Sequence, residues 1–272
     1  MQAPDALRQA AARLSGKSDT PRLDAELLLA CALGIDRGEL LVKLHDLPVP
    51  DVFAGLIERR AAGEPVAYIT GTRDFWTISL HVTPAVLIPR PDSETLLEAA
   101  VEHFGKAGPR RILDLGTGSG ALLLAALDEW RGATGLGVDI SDAALTIARG
   151  NAERLGMAER AEFRLGDWGA GIGERSDLIL INPPYISMQA MLPRDVAGHE
   201  PHGALFAGSD GLDDYRRIAP QLPGLLAKNG MAAIEIGFDQ GRAASALFVA
   251  EKLAVRCRPD LAGRDRCLLV TA

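Results

Sequence analysis

The strongest constraint on the fold is an alternation of apolar runs and helical segments that begins near residue 90. Four apolar runs are typical of strands buried on both faces, at 112–115, 136–138, 178–181 and 232–236. Helical periodicity lies between or after them, at 121–130, 143–155, 212–226 and 243–253. Repeated strand–helix units predict an α/β fold with a mostly parallel sheet covered on both faces. Ligands of such sheets bind at the carboxyl ends of the strands, so the residues there are the first candidates for a site.

The N-terminal part of the chain has a helical pattern instead. Thr20 and Pro21 favour a helix start, and apolar residues recur at helical spacing until Gly34. A second helix is predicted to begin at Asp51 and to end at Gly63. We therefore expect a small helical docking or lid domain.

A strand pattern follows this helical part. Apolar and polar residues alternate over 76–82, which is typical of a strand with one buried face. Residues 66–70 are expected to pair with it across Gly71 and Thr72, forming a β-hairpin that connects the two parts of the chain.

Composition narrows the class of protein. Apolar residues make up 47% of the chain and charged residues 24%, which excludes a disordered protein. The net charge of −7 argues against a broadly basic nucleic-acid-binding surface. The longest apolar stretch, at 27–35, is too short to span a membrane, and the first residues do not resemble a secretory signal. Three widely spaced cysteines match no zinc motif, so we expect reduced thiols, no metal site and a cytoplasmic location.

A glycine-rich turn follows the first predicted strand. It consists of Asp114, Leu115, Gly116, Thr117, Gly118, Ser119 and Gly120. Glycines permit a tight turn and allow a ligand to approach the backbone. The spacing G-x-G-x-G differs from the G-x-G-x-x-G of dinucleotide binders, and the Asp114 carboxylate would repel a pyrophosphate. The same carboxylate suits the ammonium and sulfonium groups of S-adenosylmethionine, which we predict as the cofactor.

Acidic and aromatic residues after the next two strands complete the predicted cofactor site. Asp139 lies 23 residues beyond Gly116, close to the roughly 20-residue spacing at which an acid binds ribose hydroxyls in this fold class. Ser141 is expected to cap the following helix, which leaves Asp139 free. Asp167 and Trp168 follow a third apparent strand, which precedes the apolar run at 178–181, and we expect them to border the adenine there. Each feature alone also fits a turn, a helix cap or a packed tryptophan, but their order along the chain favours a nucleoside cofactor.

The tetrapeptide Asn182-Pro183-Pro184-Tyr185 follows the next strand. It could be a plain proline turn, because proline fixes φ near −65° and pushes the preceding residue towards extended geometry. Such a rigid backbone also suits methylation of an amino or amide nitrogen. The Asn182 side-chain oxygen and the Pro183 carbonyl can each accept one hydrogen of an NH2 group, and Tyr185 can lie against its planar group. We predict Asn182, Pro183 and Tyr185 as catalytic residues and all four as substrate-binding residues.

In combination, these motifs resemble the peptide chain release factor glutamine N5-methyltransferases. Further segments share the resemblance, at 63–71, 74–76, 87–94, 200–201, 204–205, 210–212, 235–237 and 263–266. The sequence departs from the family pattern at Asp92 and Ser93, where Glu-Thr is more usual. It also departs at Thr77 and His81, which replace a usual glycine and phenylalanine.

The resemblance implies a Rossmann-like class I methyltransferase sheet with a small helical N-terminal domain joined by a β-hairpin. On this basis we expect a substrate-docking domain at 1–73, a hairpin linker at 74–89 and a methyltransferase domain at 90–272. By the family pattern, Gly116 to Gly120, Asp139, Trp168 and Asn182 contact the cofactor, and residues 182–185 hold the substrate glutamine.

The activity implied by the resemblance is transfer of a methyl group from S-adenosylmethionine to the side-chain amide of the glutamine in the Gly-Gly-Gln motif of release factors. Release factors are the expected partners of a monomeric enzyme that binds neither nucleic acid nor membrane. Three alternatives stay open: a ribosomal-protein glutamine methyltransferase, a DNA or RNA amino methyltransferase acting on adenine N6 or guanine N2, and a non-catalytic adaptor. Arg90 is expected to form a structural ion pair, and the loop at Glu200 and Pro201 to shape the pocket wall.

Overall fold

The computed structural model describes residues 2–190 and 198–272. They form two compact units, one of residues 2–72 with 198–199 and the other of residues 73–190 with 200–272. Among the described residues, no helix combines the length and the apolar character needed to cross a bilayer.

The first unit is built from short helices. Residues 2–72 contain α1 (Ala3–Leu14), α2 (Pro21–Leu33), α3 (Arg37–Lys43), α4 (Val52–Ala61) and α5 (Val66–Thr70). Their apolar faces form a core that includes Leu7, Leu28 and Phe53. The predicted end of α2 is confirmed, because Gly34 adopts a left-handed φ of +68°. Thr20 does not cap the helix; its hydroxyl donates to Asp24 Oδ1 at 2.9 Å.

The predicted pairing of residues 66–70 with the next strand is wrong. These residues form α5, whose first turn closes when the Ile69 N–H donates to the Pro65 carbonyl at 3.1 Å. Gly71 ends the helix in a left-handed conformation with φ +73°, which a glycine adopts without steric cost. The hairpin consists instead of β1 (Thr72–Phe75) and β2 (Ile78–His81).

The second unit contains a seven-stranded sheet in the order β5-β4-β3-β6-β7-β9-β8. Its parallel strands are β3 (Arg111–Leu115), β4 (Thr134–Asp139), β5 (Ala161–Leu165), β6 (Ser176–Ile181) and β7 (Leu226–Glu235). Two further strands, β8 (Ala254–Pro259) and β9 (Asp265–Thr271), were not predicted; β9 pairs antiparallel with both β7 and β8. The chain runs outward from β3 to β5 and returns at β6, so the order reverses between β3 and β6, where ligands bind in this fold class.

Helices accompany this sheet. They are α6 (Glu94–Phe104), α7 (Ala121–Glu129), α8 (Asp142–Arg154), α9 (Asp213–Ile218), α10 (Leu222–Leu225) and α11 (Gly241–Ala250). Short 3-10 turns lie at Pro91–Ser93, Gly105–Ala107, His202–Ala204 and Ala219–Gln221. The single helix predicted at 212–226 is wrong in its extent. Pro220 and Pro223 lack the backbone N–H that a helix interior needs, and the segment divides into α9, a 3-10 turn and α10.

Candidate active site

The reversal between β3 and β6 brings two of the predicted motifs together. Leu115 pairs with Ile181, so Gly116 and Asn182, which follow them, lie side by side. A Cβ placed on Gly116 would lie 3.9 Å from the Asn182 carbonyl oxygen. A cavity of about 470 Å³ opens at this edge of the sheet, within the range of small-molecule sites.

The glycine-rich turn depends on backbone conformations that glycine adopts readily. Gly116, Gly118 and Gly120 have φ of +76°, +55° and +82°. At Gly116 a larger side chain is also excluded by its neighbour, because a Cβ there would lie 3.1 Å from Trp168 Cζ3. The turn therefore passes directly against the tryptophan ring, with no room for a side chain between them.

Asp139 lines the cavity at the end of β4. Its Oδ2 accepts from the Gly118 N–H at 2.8 Å, and its Oδ1 accepts from the Ser141 N–H at 2.9 Å. The predicted cap is confirmed, since Ser141 Oγ accepts from the Ala144 N–H at 3.2 Å. Each carboxylate oxygen can accept more than one hydrogen bond, so Asp139 is oriented by the protein and retains lone pairs for two hydroxyls.

Asp114 lies beneath the turn, and only 1% of the residue is exposed. Its Oδ2 accepts from Thr117 Oγ1 at 2.6 Å and from the Leu123 N–H at 3.3 Å. Its Oδ1 has no hydrogen-bond partner among the described residues. Burial raises the pKa of Asp114 to about 7, and the neighbouring Asp139 charge adds to the rise. Asp114 thus supports the turn from below.

Trp168 and Asp167 follow β5 at the same edge and line the cavity. Trp168 has an uncommon φ of +51°, and its Nε1 donates to Asp214 Oδ1 at 3.2 Å. Burial raises the pKa of Asp214. Both oxygens of Asp167 accept from Arg217 Nη2. Trp168 therefore provides an apolar wall, whereas Asp167 is engaged in an ion pair.

Glu235, at the end of β7, fixes both ends of the tetrapeptide. Asn182 Nδ2 donates to Ser93 Oγ at 3.1 Å, and Ser93 Oγ in turn donates to Glu235 Oε2. Tyr185 Oη donates to Glu235 Oε1 at 3.1 Å. Glu235 is 1% exposed, and burial raises its pKa. With Nδ2 engaged, the acceptor that Asn182 retains is Oδ1.

The four residues of the tetrapeptide differ in their surroundings. Asn182 and Pro184 line the cavity, whereas Pro183 is buried and Tyr185 packs against the core of the sheet. Burial raises the pKa of Tyr185, so its phenol stays neutral and donates its hydrogen. Gln240 Nε2 also donates to the Tyr185 carbonyl at 2.9 Å, which further fixes the tetrapeptide.

The chain is similar to known methyltransferases. Residues 5–71 match the family described as PrmC N-terminal domain, and residues 109–202 match the family described as Methyltransferase domain. A release factor glutamine methyltransferase from Cereibacter sphaeroides is 46% identical over 274 residues, which cover 98% of this chain and 97% of that protein. One from Moorella thermoacetica is 44% identical over 273 residues, which cover 97% and 96%. The chain belongs to the release factor glutamine methyltransferase family.

A solved structure supports the fold. The T. thermophilus 16S rRNA N2 G1207 methyltransferase in complex with AdoMet and guanosine superposes with a TM-score of 0.54 at 20% identity, covering 74% of this chain and 50% of that one. At this identity the likeness concerns the fold alone. The predicted α/β methyltransferase fold with a helical N-terminal region is confirmed.

The predicted cofactor residues of this family member mostly share one cavity. Its wall includes Gly116, Thr117, Gly118, Ser119, Asp139, Asp167, Trp168 and Asn182. Gly120 and Asp114 lie outside the wall; Gly120 precedes α7, and a Cβ on it would lie 3.0 Å from Leu124 Cδ1. An oriented acid, an apolar wall and a glycine-rich turn that a ligand can approach closely fit S-adenosylmethionine, whose individual contacts stay predictions.

Several residues of the site were missed by sequence reasoning. In the sequence, Ser93 stands out only as a departure from the family pattern, and Glu235 only as part of a shared segment. A carboxylate at the end of the apolar run 232–236 was a usable signal for Glu235, because a charge on a buried strand needs partners.

Asn151 on α8 was missed as well. Its amide Nδ2 donates to the carbonyls of His81 and Ser119, tying the hairpin to the glycine-rich turn.

The expectations for Arg90 and the Glu200 loop are confirmed. Arg90 pairs with the buried Glu200 carboxylate. Pro201, Gly203 and Ala204 line the cavity, so this loop shapes its wall.

Proposed function

We propose that this chain transfers a methyl group from S-adenosylmethionine to the side-chain amide nitrogen of the glutamine in the Gly-Gly-Gln motif of peptide chain release factors. The observation that carries the proposal is the placement of Asn182 in the cavity wall beside Gly116, with Nδ2 engaged by Ser93 and Oδ1 left as an acceptor. The names of the curated relatives support the choice of release factors as substrate.

The proposed organisation assigns residues 1–73 to substrate docking, 74–89 to a hairpin linker and 90–272 to methyl transfer. The enzyme acts as a monomer in the cytoplasm, where release factors work. The separate helical unit and the cavity at the sheet edge support this division of roles.

The reaction depends on orientation, because an amide nitrogen is a poor nucleophile whose lone pair is delocalised into its carbonyl. When bound, S-adenosylmethionine supplies a methyl group on a positively charged sulfur. Holding the reacting atoms in line at ~3 Å can remove on the order of 7–11 kcal/mol of the barrier. The rigid turn at Gly116 and the proline-bearing tetrapeptide supply that orientation.

Asn182 and Pro183 stabilise the charge that develops. Asn182 Oδ1 and the Pro183 carbonyl accept the two hydrogens of the glutamine NH2 group, which directs the nitrogen lone pair towards the methyl carbon. Positive charge grows on the nitrogen as the new C–N bond forms and the methyl–sulfur bond breaks, so both hydrogen bonds strengthen in the transition state. The N-methylated amide is then a strong acid and gives its proton to water. No side-chain base is needed.

The proposal is tested by a competition between substrate classes. The chain is incubated with labelled cofactor and a mixture of a release factor, ribosomal proteins, RNA and DNA. The matched control is the same release factor with the motif glutamine replaced by asparagine, which shortens the side chain by one methylene. We expect label in the release factor alone, and none in the control. Label in ribosomal protein or nucleic acid, with none in the release factor, would reject release factors as the substrate.

A further inference from the structure

We infer that Glu235 is a positioning residue that determines which end of the Asn182 amide faces the reacting nitrogen. The inference rests on the proposed function, in which Asn182 must present an oxygen to the NH2 group of glutamine. Glu235 acts through Ser93, which lies 142 residues away in the sequence and between the two side chains in the structure.

The direction of each hydrogen bond follows from the carboxylate. An ionised carboxylate accepts hydrogen bonds and has no hydrogen to donate. Ser93 has a single hydroxyl hydrogen, and it points to Glu235 Oε2. The lone pairs of Ser93 Oγ therefore face Asn182, which must meet them with its donor end, Nδ2, at 3.1 Å. The amide oxygen is left for the substrate.

Burial makes this direction strict. Ser93 and Glu235 are 3% and 1% exposed, so water cannot readily substitute for either partner. The second oxygen of Glu235 accepts from Tyr185 Oη at 3.1 Å, which ties the other end of the tetrapeptide to the same carboxylate. Glu235 therefore fixes Asn182 and Tyr185 relative to each other.

Protonation of Glu235 would reverse the arrangement. A neutral carboxyl group can donate to Ser93, and Ser93 can then donate to Asn182 Oδ1, which turns Nδ2 towards the substrate. Two donors would face each other, and transfer would slow. Burial raises the pKa of Glu235, so this loss begins at a higher pH than for an exposed glutamate.

Other ionisable groups also face Glu235. They are Asp92 beside Ser93, the phenols of Tyr185 and Tyr215, Arg266, and Cys267 on the neighbouring strand β9. Arg266 lowers the pKa of Glu235 and Asp92 raises it. Because several groups near Glu235 titrate, the pH dependence of kcat is assigned to Glu235 only if replacement of Glu235 alone removes it.

The central experiment compares the wild type with Glu235→Gln, which keeps the shape of the side chain but removes its charge and replaces one of its two acceptor oxygens with a donor. We expect kcat on a release factor to fall about tenfold to a hundredfold, in line with the cost of a small misplacement of a reacting group. The dissociation constant of the cofactor, measured by calorimetry, should change by less than about threefold. The acid limb of the wild-type kcat–pH profile should be absent from the variant.

Two further comparisons separate positioning from folding. Ser93→Thr keeps the hydroxyl and should retain most of the wild-type kcat, whereas Ser93→Ala should lose as much as Glu235→Gln. Tyr215→Phe is the matched control. It removes a hydroxyl that donates to the Glu235 backbone carbonyl at 3.0 Å, leaves the carboxylate bonds in place, and should turn over normally.

A spectroscopic measurement is independent of turnover. The side-chain ¹⁵N–¹H₂ resonances of Asn182, assigned with Asn182→Ala, should shift on acid titration of the wild type and stay constant in Glu235→Gln. Wild-type kcat and an unchanged acid limb in Glu235→Gln would overturn the inference, as would Ser93→Ala with full activity. Those results leave release-factor methylation by the wild type intact. Failure of the wild type to methylate any release factor would instead reject the proposed function.

Discussion

The backbone N–H of Gly118 donates to Asp139 Oδ2 at 2.8 Å, which joins the turn after β3 to the end of β4. One carboxylate therefore shapes the turn and lines the cavity. Gly118 and Asp139 lie 21 residues apart in the sequence, and α7 lies between them. The parallel pairing of Leu115 with Val138 brings the two segments together. This contact explains why the glycines and the acid form one unit.

Replacement of Asp139 by alanine should weaken cofactor binding more than it slows the chemical step. A hydrogen bond to a charged group contributes about 1.5–3 kcal/mol, so loss of even one should raise the dissociation constant measured by calorimetry roughly tenfold to a hundredfold. Asp142→Ala is the matched control, since Asp142 is exposed and outside the cavity wall. Equal affinities in the two variants would reject the ribose assignment.

The buried Asp114 should make stability depend on pH. Its pKa is about 7 in the folded protein and about 3.9 in an unfolded chain, so between these values the folded state binds more protons. The free energy of unfolding contributed by Asp114 is therefore greatest below about pH 4 and falls as the pH rises to about 7. We expect the stability of the wild type relative to Asp114→Asn to decrease from pH 5 to pH 8 in denaturant unfolding. A constant difference would contradict the assigned pKa.

Proton release from Asp114 on cofactor binding tests the predicted contact between Asp114 and the ammonium end of the cofactor. A bound cation near Asp114 would favour its ionised form, so binding near pH 6.5 should release a proton from the wild type. Calorimetry in buffers of different ionisation enthalpy measures that proton. The cofactor amino group itself titrates near pH 7.7–8.0. The test therefore depends on the difference between the wild type and Asp114→Asn in the number of protons released on binding. No difference would place the cation away from Asp114.

Substitutions in the turn should separate backbone strain from steric overlap. Gly116→Ala combines φ +76° with a Cβ 3.1 Å from Trp168 Cζ3, whereas Gly118→Ala has φ +55° and open space. We expect both to weaken cofactor binding, Gly116→Ala more severely. Gly150→Ala, inside α8 with open space around it, should be neutral or stabilise the fold by roughly 0.5–1 kcal/mol. If Gly118→Ala weakened cofactor binding more than Gly116→Ala, the Trp168 ring would be shown to move freely away from a side chain at residue 116.

The sequence predicted the parts of the structure that follow from local pattern. Four of the five parallel strands, the turn at Gly116 and the tetrapeptide at Asn182 were found because apolar runs and motifs mark them directly, whereas no apolar run marks β5. The edge strand β8 was missed although Val255 and Cys257 alternate with Arg256 and Arg258, a usable strand signal. Single helical turns are harder: residues 66–70 are rich in strand-forming side chains, yet Pro65 and Gly71 delimit a helix there.

Contacts between distant segments could not be predicted in the same way. The Ser93–Glu235 bond joins residues 142 apart in the sequence, and it forms because α6, which follows Ser93, packs beside β7. Strand order must be known before such a pair can be inferred. Asp114 is a second example of what the sequence cannot predict. Its position in the motif suggested a place in the cavity wall, whereas the folded chain buries it beneath the turn.

The most direct test of the central claim is tandem mass spectrometry of a release factor after incubation with cofactor and either the wild type or Asn182→Ala. We expect one added methyl group on the side chain of the motif glutamine with the wild type. The rate should be at least about a hundredfold lower with the variant, whose cofactor affinity should stay within about fivefold of the wild type. A methyl group on any other residue, or near-normal turnover by Asn182→Ala, would contradict the role assigned to the tetrapeptide.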